Sequence, residues 1–176
     1  QDFAPLVWYQ FHPEDNDPLV SLLHLNHAIQ YAIPEIPSLP LEALEHWDGT
    51  LGRLPHRAML DQTINALSAH LHAPALLVLD DAHLVSDSGE IPHLLDRLVG
   101  LAPPHFHVLL AGRPAISLPN LHQWRLKGDA LLLDQHALAF NAEEIALLFA
   151  QRYRLALAPD EIASLLRYTE GWAIAL

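Results

Sequence analysis

Cysteine is absent from this 176-residue chain, and lysine nearly so: eight of the nine cations are arginines and the ninth is Lys127. Without cysteine there can be no disulfide, no thiolate metal site and no cysteine nucleophile. The seven glycines are scattered, none forms GxGxxG, and no glycine-rich run precedes Lys127, so the chain contains no phosphate-gripping GxxxxGK[ST] loop. Long apolar runs are also missing. The longest, Ala73 to Leu79, is far short of the roughly 20 residues of a membrane helix. No basic-then-apolar leader opens the sequence, and the expectation is a cytoplasmic chain without membrane contact. With 21 acidic side chains and a formal charge of −12, the segment lacks the cation excess of a phosphate-backbone binder, so direct nucleic-acid contact is not expected.

What is present can build a core, because 51% of residues are hydrophobic and 17% charged. Leu6 to Phe11 is short, aromatic and β-branched, and reads as a buried strand. Asp17 then caps, and Pro18 opens, a helix whose apolar stripe runs to Ile33. Pro34 to Pro55 is proline-punctuated, with a possible short helix over Leu41 to Trp47. His56 to Leu71 returns to helical spacing. Ala75 to Leu79 is a continuous apolar run into Asp80-Asp81, the pattern of a strand covered on both faces. Ile91 to Leu101 is the next helix, His105 to Leu110 another strand, and Leu131-Leu132-Leu133 a candidate fourth. Asn141 with Glu144 forms a capping box for a helix to about Tyr153, and Pro159-Asp160-Glu161 opens the last one. Alternating strands and helices predict an α/β fold with a parallel sheet, followed by a small helical unit.

Asp80 and Asp81 stand at the carboxyl end of a buried strand, where open α/β sheets bind ligands. Hard oxygens there suit a hydrated Mg²⁺ bridging nucleotide phosphates, and a second carboxylate can orient water. The plainer alternative is that both simply end a strand and cap a turn. Arg113, after the neighbouring strand, would point into the same crevice and could read a terminal phosphate. It could equally be a surface residue, or pair with one of the two aspartates. Thirteen histidines form no HExxH pattern and read as compositional bias rather than a zinc site. No serine sits in a GxSxG setting. The four tryptophans read as core residues, Trp172 being the one that could also abut a ligand.

Together these pieces resemble the ATPase region of the STAND class of P-loop proteins, in the MalT-like branch of LuxR-type transcriptional activators. Val7-Trp8-Tyr9-Gln10-Phe11 with Glu14-Asp15-Asn16-Asp17-Pro18 is similar to the strand after that family's P-loop helix. Leu76 to His83 resembles its Walker B strand and Asp-Asp-x-His, and Val108 to Pro114 its sensor strand ending in arginine. Phe140 to Glu144 and Thr169 to Leu176 resemble its helical lid, although Ala139 stands where the family often has a basic residue.

The resemblance implies a partial P-loop-NTPase-like core over residues 1–137 and the start of a lid over 138–176. It gives Asp80 the Mg²⁺ role, Asp81 the catalytic, water-orienting role and Arg113 the γ-phosphate, with Gly171 and Trp172 near the adenine. It further implies ATP or ADP with Mg²⁺ in an intact parent protein, none held tightly by this chain, and a nucleotide-dependent regulatory switch. Partners would be a second copy or neighbouring domains of the same regulator. The competing reading is a catalytically dead α/β protein-interaction module. Since the family's P-loop precedes the strand matching Leu6–Phe11, the chain is expected to be part of a longer regulator. The 176 residues alone should therefore not hydrolyse ATP, and turnover above background that disappears in Asp81→Asn would contradict this.

Overall fold

The computed structural model describes residues 5–37, 56–113 and 117–176; the short helix anticipated over Leu41 to Trp47 lies outside them. The chain divides into two compact units, Gln1–Trp124 and Arg125–Leu176.

Among the described residues, three strands form the sheet of the first unit: β1 (Leu6–Gln10), β2 (Ala75–Asp80) and β3 (Phe106–Leu110). They lie in the order β1-β2-β3, and both pairings are parallel. Helices α1 (Pro18–Ala32) and α2 (His56–His70) fall between β1 and β2, and α3 (Ile91–Leu101) between β2 and β3, giving an α/β fold. Each step moves one strand in the same direction, so right-handed crossovers put all three helices on one face. The core lies there. Val7, Tyr9, Leu77, Leu79 and Phe106 pack with Leu25 and Ile29 of α1, Leu60 and Leu67 of α2, and Leu98 of α3. A bidentate pair, Arg97 Nε to Asp61 Oδ1 at 2.6 Å and Nη2 to Oδ2 at 2.7 Å, joins α3 to α2.

The opposite sheet face corrects the expectation that Leu6 to Phe11 is a buried strand, although β2 itself is covered on this side too. Val78 is buried at its centre, but Leu6, Trp8 and Leu109 around it are 53, 60 and 46% exposed. Trp8 is thus not a core residue, and Trp172 is likewise half exposed. The reason is physical: alternation along a strand fixes which residues share a face, not whether anything covers it.

The link from β1 to α1 is organised by a buried carboxylate. Asp15 sits in a 3-10 turn (Pro13–Asn16) and is fully buried. Its Oδ2 accepts the His12 N–H at 2.7 Å, its Oδ1 pairs with His24 Nδ1 at 2.8 Å, and the Tyr9 hydroxyl also bonds to it. Asp17 caps α1 as predicted, accepting from the N–H groups of Leu19 (2.8 Å) and Val20 (3.2 Å).

The remainder of the chain corrects two further expectations. Leu131-Leu132-Leu133 is not a strand, and Leu131 is 84% exposed. Only five residues separate the left-handed Gly128 (φ 80°) from Asp134, which already caps α5 (Gln135–Leu138). The stretch before it contains α4 (Leu121–Lys127). Its start is fixed from a distance: Asp96 of α3 accepts from Asn120 N at 2.8 Å and from Asn120 Nδ2 at 2.7 Å. The Asn141–Glu144 capping box forms as expected on α6 (Ala142–Leu148), which passes into a π turn (Phe149–Tyr153) instead of continuing as α-helix. Last comes α7 (Pro159–Thr169).

Burial alone would raise the Asp15 pKa, but hydrogen bonds from the His12 amide, Tyr9 and His24 outweigh it and hold the carboxyl below its ordinary 3.8. A depressed folded-state value stabilises above the unfolded pKa and is lost as pH falls through the folded one. Asp15→Asn is therefore expected to lower stability near neutral pH by about 1–3 kcal/mol. In denaturant titrations the gap to wild type should narrow below about pH 4. Tyr9 behaves oppositely. Burial, then the hydrogen bond and charge of Asp15, push its hydroxyl well above 10.0, so its contribution is present below that pH and lost in stronger alkali.

Candidate functional site

The carboxyl ends of the three strands are tied together by backbone hydrogen bonds. Phe11 N–H donates to Asp80 O (3.0 Å), Ala111 N–H to Leu79 O (2.9 Å) and Ala82 N–H to Ala111 O (3.0 Å). The segments Gln10–His12, Asp80–His83 and Ala111–Arg113 therefore meet at one end of the sheet, as a parallel arrangement requires.

Asp80, the last residue of β2, is partly buried. Its Oδ1 accepts the Asp81 N–H at 2.9 Å, which leaves Oδ2 without a hydrogen bond among the described residues. Asp81 is left-handed (φ 51°, ψ 30°) and begins a 3-10 turn over Ala82–Val85. Aspartate tolerates this conformation better than most residues. Its carboxylate does not cap that turn. Instead Oδ2 accepts from Gln10 Nε2 at 2.8 Å, and Oδ1 lies 3.8 Å from His83 Nδ1. That buried Nδ1 has no hydrogen-bond partner among the described residues. Gly112 lets the end of β3 approach closely: a Cβ there would lie 3.1 Å from His83 N and 3.5 Å from its Nδ1. Arg113 follows, exposed, and makes no ion pair with Asp80 or Asp81 among the described residues, so the internal salt-bridge alternative is not realised.

Asp80, Asp81 and the segment carrying Arg113 are thus brought to one sheet end, whereas Gly171 and Trp172 belong to the second unit. There Gly171 is left-handed (φ 77°), and its carbonyl accepts the Phe140 N–H at 2.8 Å. Two residues of this sheet end are given no role by the sequence pattern, although His83 closes its Asp-Asp-x-His stretch. Gln10 carries a visible signal, a polar residue closing an otherwise apolar strand; His83 carries one in its spacing from the aspartates.

Among the described residues no three His, Asp or Glu side chains cluster to hold a metal on protein ligands alone. A single carboxylate with an open oxygen, as at Asp80, fits the way Mg²⁺ is held when phosphates supply the other ligands.

Comparison with known proteins gives two kinds of relative. The chain is similar over 99% of its length to the HTH-type transcriptional regulator MalT of Yersinia enterocolitica, at 29% identity, and covers 19% of that protein. MalT of Vibrio parahaemolyticus is 26% identical over 96% of the chain. All of the chain also matches the serine/threonine-protein kinase PknK of Mycobacterium tuberculosis H37Rv, at 26% identity over 15% of that kinase. The chain therefore spans less than a fifth of the length of these relatives. No protein-family model matches it. No helix among the described residues is long and apolar enough to cross a membrane.

Gly171 supplies a test of the second unit. A side chain there would collide with the backbone of Phe140, whose nitrogen would lie 2.9 Å from the new Cβ. Gly171→Ala is expected to destabilise this unit by at least about 2 kcal/mol, since strain at positive φ and the clash add. Trp172 fluorescence during denaturation, read with the other three tryptophans replaced by phenylalanine, checks it.

Proposed function

We propose that the chain is a nucleotide-responsive regulatory segment of a cytoplasmic transcriptional regulator. The observation that carries this reading is the carboxylate pair at the carboxyl end of the central strand, with an exposed arginine beyond the end of its neighbour. Asp80 would hold Mg²⁺ together with nucleotide phosphates, Asp81 would orient water, and Arg113 would contact the terminal phosphate. The bound Mg²⁺ would supply charge neutralisation at the phosphates. The relatives support a regulatory rather than an effector part. Proteins named as a transcriptional regulator and as a serine/threonine-protein kinase both contain a similar stretch, so neither named activity accounts for what they share.

Two features of the sheet favour a further strand and helix from the same polypeptide. Among the described residues the outer edge of β3 pairs with no strand. A strand there, crossing back to β1 in a right-handed sense, would lay its helix on the face that exposes Leu6, Trp8 and Leu109. That unit is where a phosphate-gripping loop would belong, and nucleotide binding would then shift the regulator between two states of self-association. The same open face is what a purely protein-binding module would present, and it keeps that second reading in view.

In the full-length protein, Asp80→Ala is expected to weaken Mg-ATP binding at least about tenfold, as read by calorimetry. Binding that survives the substitution unchanged would favour the protein-binding module.

A further inference from the structure

Asp81 is drawn toward one side of the sheet. β1 and β3 flank β2 on opposite sides, and Gln10 lies on β1 whereas Arg113 follows β3. Register pairs Gln10 with Asp80, so the Gln10 side chain rises beside the end of β2 on the face that Asp80 shares. The left-handed turn at Asp81 brings its carboxylate back over β1, where Oδ2 takes the 2.8 Å hydrogen bond from Gln10 Nε2. On its other side Oδ1 stands 3.8 Å from His83 Nδ1, too far for a hydrogen bond. Gln10 is exposed, and among the described residues its side chain makes no other hydrogen bond. Neither the core nor the strand ladder requires an amide at this position. Its one structural consequence is the orientation of Asp81.

We propose that Gln10 is a positioning residue that holds the Asp81 carboxylate turned toward β1, away from the Arg113 side of the sheet. Water orientation by Asp81 then requires this hydrogen bond to open. The proposal rests on the nucleotide reading above and adds to it a restraint on the reacting carboxylate. A solvent-exposed hydrogen bond to a carboxylate biases such an equilibrium by roughly fivefold.

The test uses steady-state ATP turnover by the full-length protein together with side-chain amide NMR of the 176-residue chain. Gln10→Leu keeps most of the bulk of the side chain and removes the donor. It is expected to raise kcat about fivefold, with KM and the thermal midpoint unchanged, and to have no effect in an Asp81→Asn background, where turnover is already lost. In the chain itself, Asp81→Asn should shift the Gln10 side-chain NH₂ resonances. A kcat that stays the same or falls in Gln10→Leu, while Mg-ATP still binds, overturns the proposal and leaves the nucleotide reading standing. Gln10 resonances that ignore Asp81→Asn overturn it directly. Failure of the wild-type protein to bind Mg-ATP overturns the nucleotide reading and the proposal with it, even where the NMR contact is seen.

Discussion

The backbone hydrogen bonds that continue past the last residue of β2 carry the rest of the arrangement. Through Phe11 to Asp80, Ala111 to Leu79 and Ala82 to Ala111, the central strand holds both neighbours at the point where their chains leave the sheet. A ladder that ended with the strands would leave three loops free to diverge. Because it runs on, residues far apart in sequence come to share one sheet end. The left-handed Asp81 is a consequence: the chain must turn sharply to let Ala82 reach the end of β3.

Two carboxylate environments lie near that end, and they differ in the way a structural group differs from a reactive one. Asp15 is fully buried and takes three hydrogen bonds, so it is fixed as an anion and closed to any other ligand. Asp80 and Asp81 are partly exposed, and among the described residues each keeps an oxygen without a hydrogen bond. Asp15 orders the path from β1 into α1, and that order keeps Gln10 and Phe11 in place beside Asp80.

Local pattern makes much of this legible. The limits of α3, the Asp17 cap, the Asn141–Glu144 box and the strand running into Asp80 all follow from periodicity and capping chemistry within a few residues. What local pattern misses depends on distant partners. The start of α4 is held by Asp96, 24 positions earlier, and nothing nearby in the sequence shows that. Leu131-Leu132-Leu133 has the composition of a strand but, among the described residues, no strand beside it. Trp8 has the hydrophobicity of a core residue on a face that is open. Gln10 and Asp81 lie 71 positions apart, so their hydrogen bond appears only once register is known.

The second unit has a different balance of forces. Its helices are well capped, but among its described residues Ile145 is the one large apolar side chain fully withdrawn from water. Caps fix where a helix starts; they do not bind helices to one another. Backbone amides in this unit should therefore open and exchange with solvent far more readily than those of β2, whose opening requires disruption of the whole sheet. Such a loosely held segment has conformational entropy to lose, and anything that orders it is opposed by that loss.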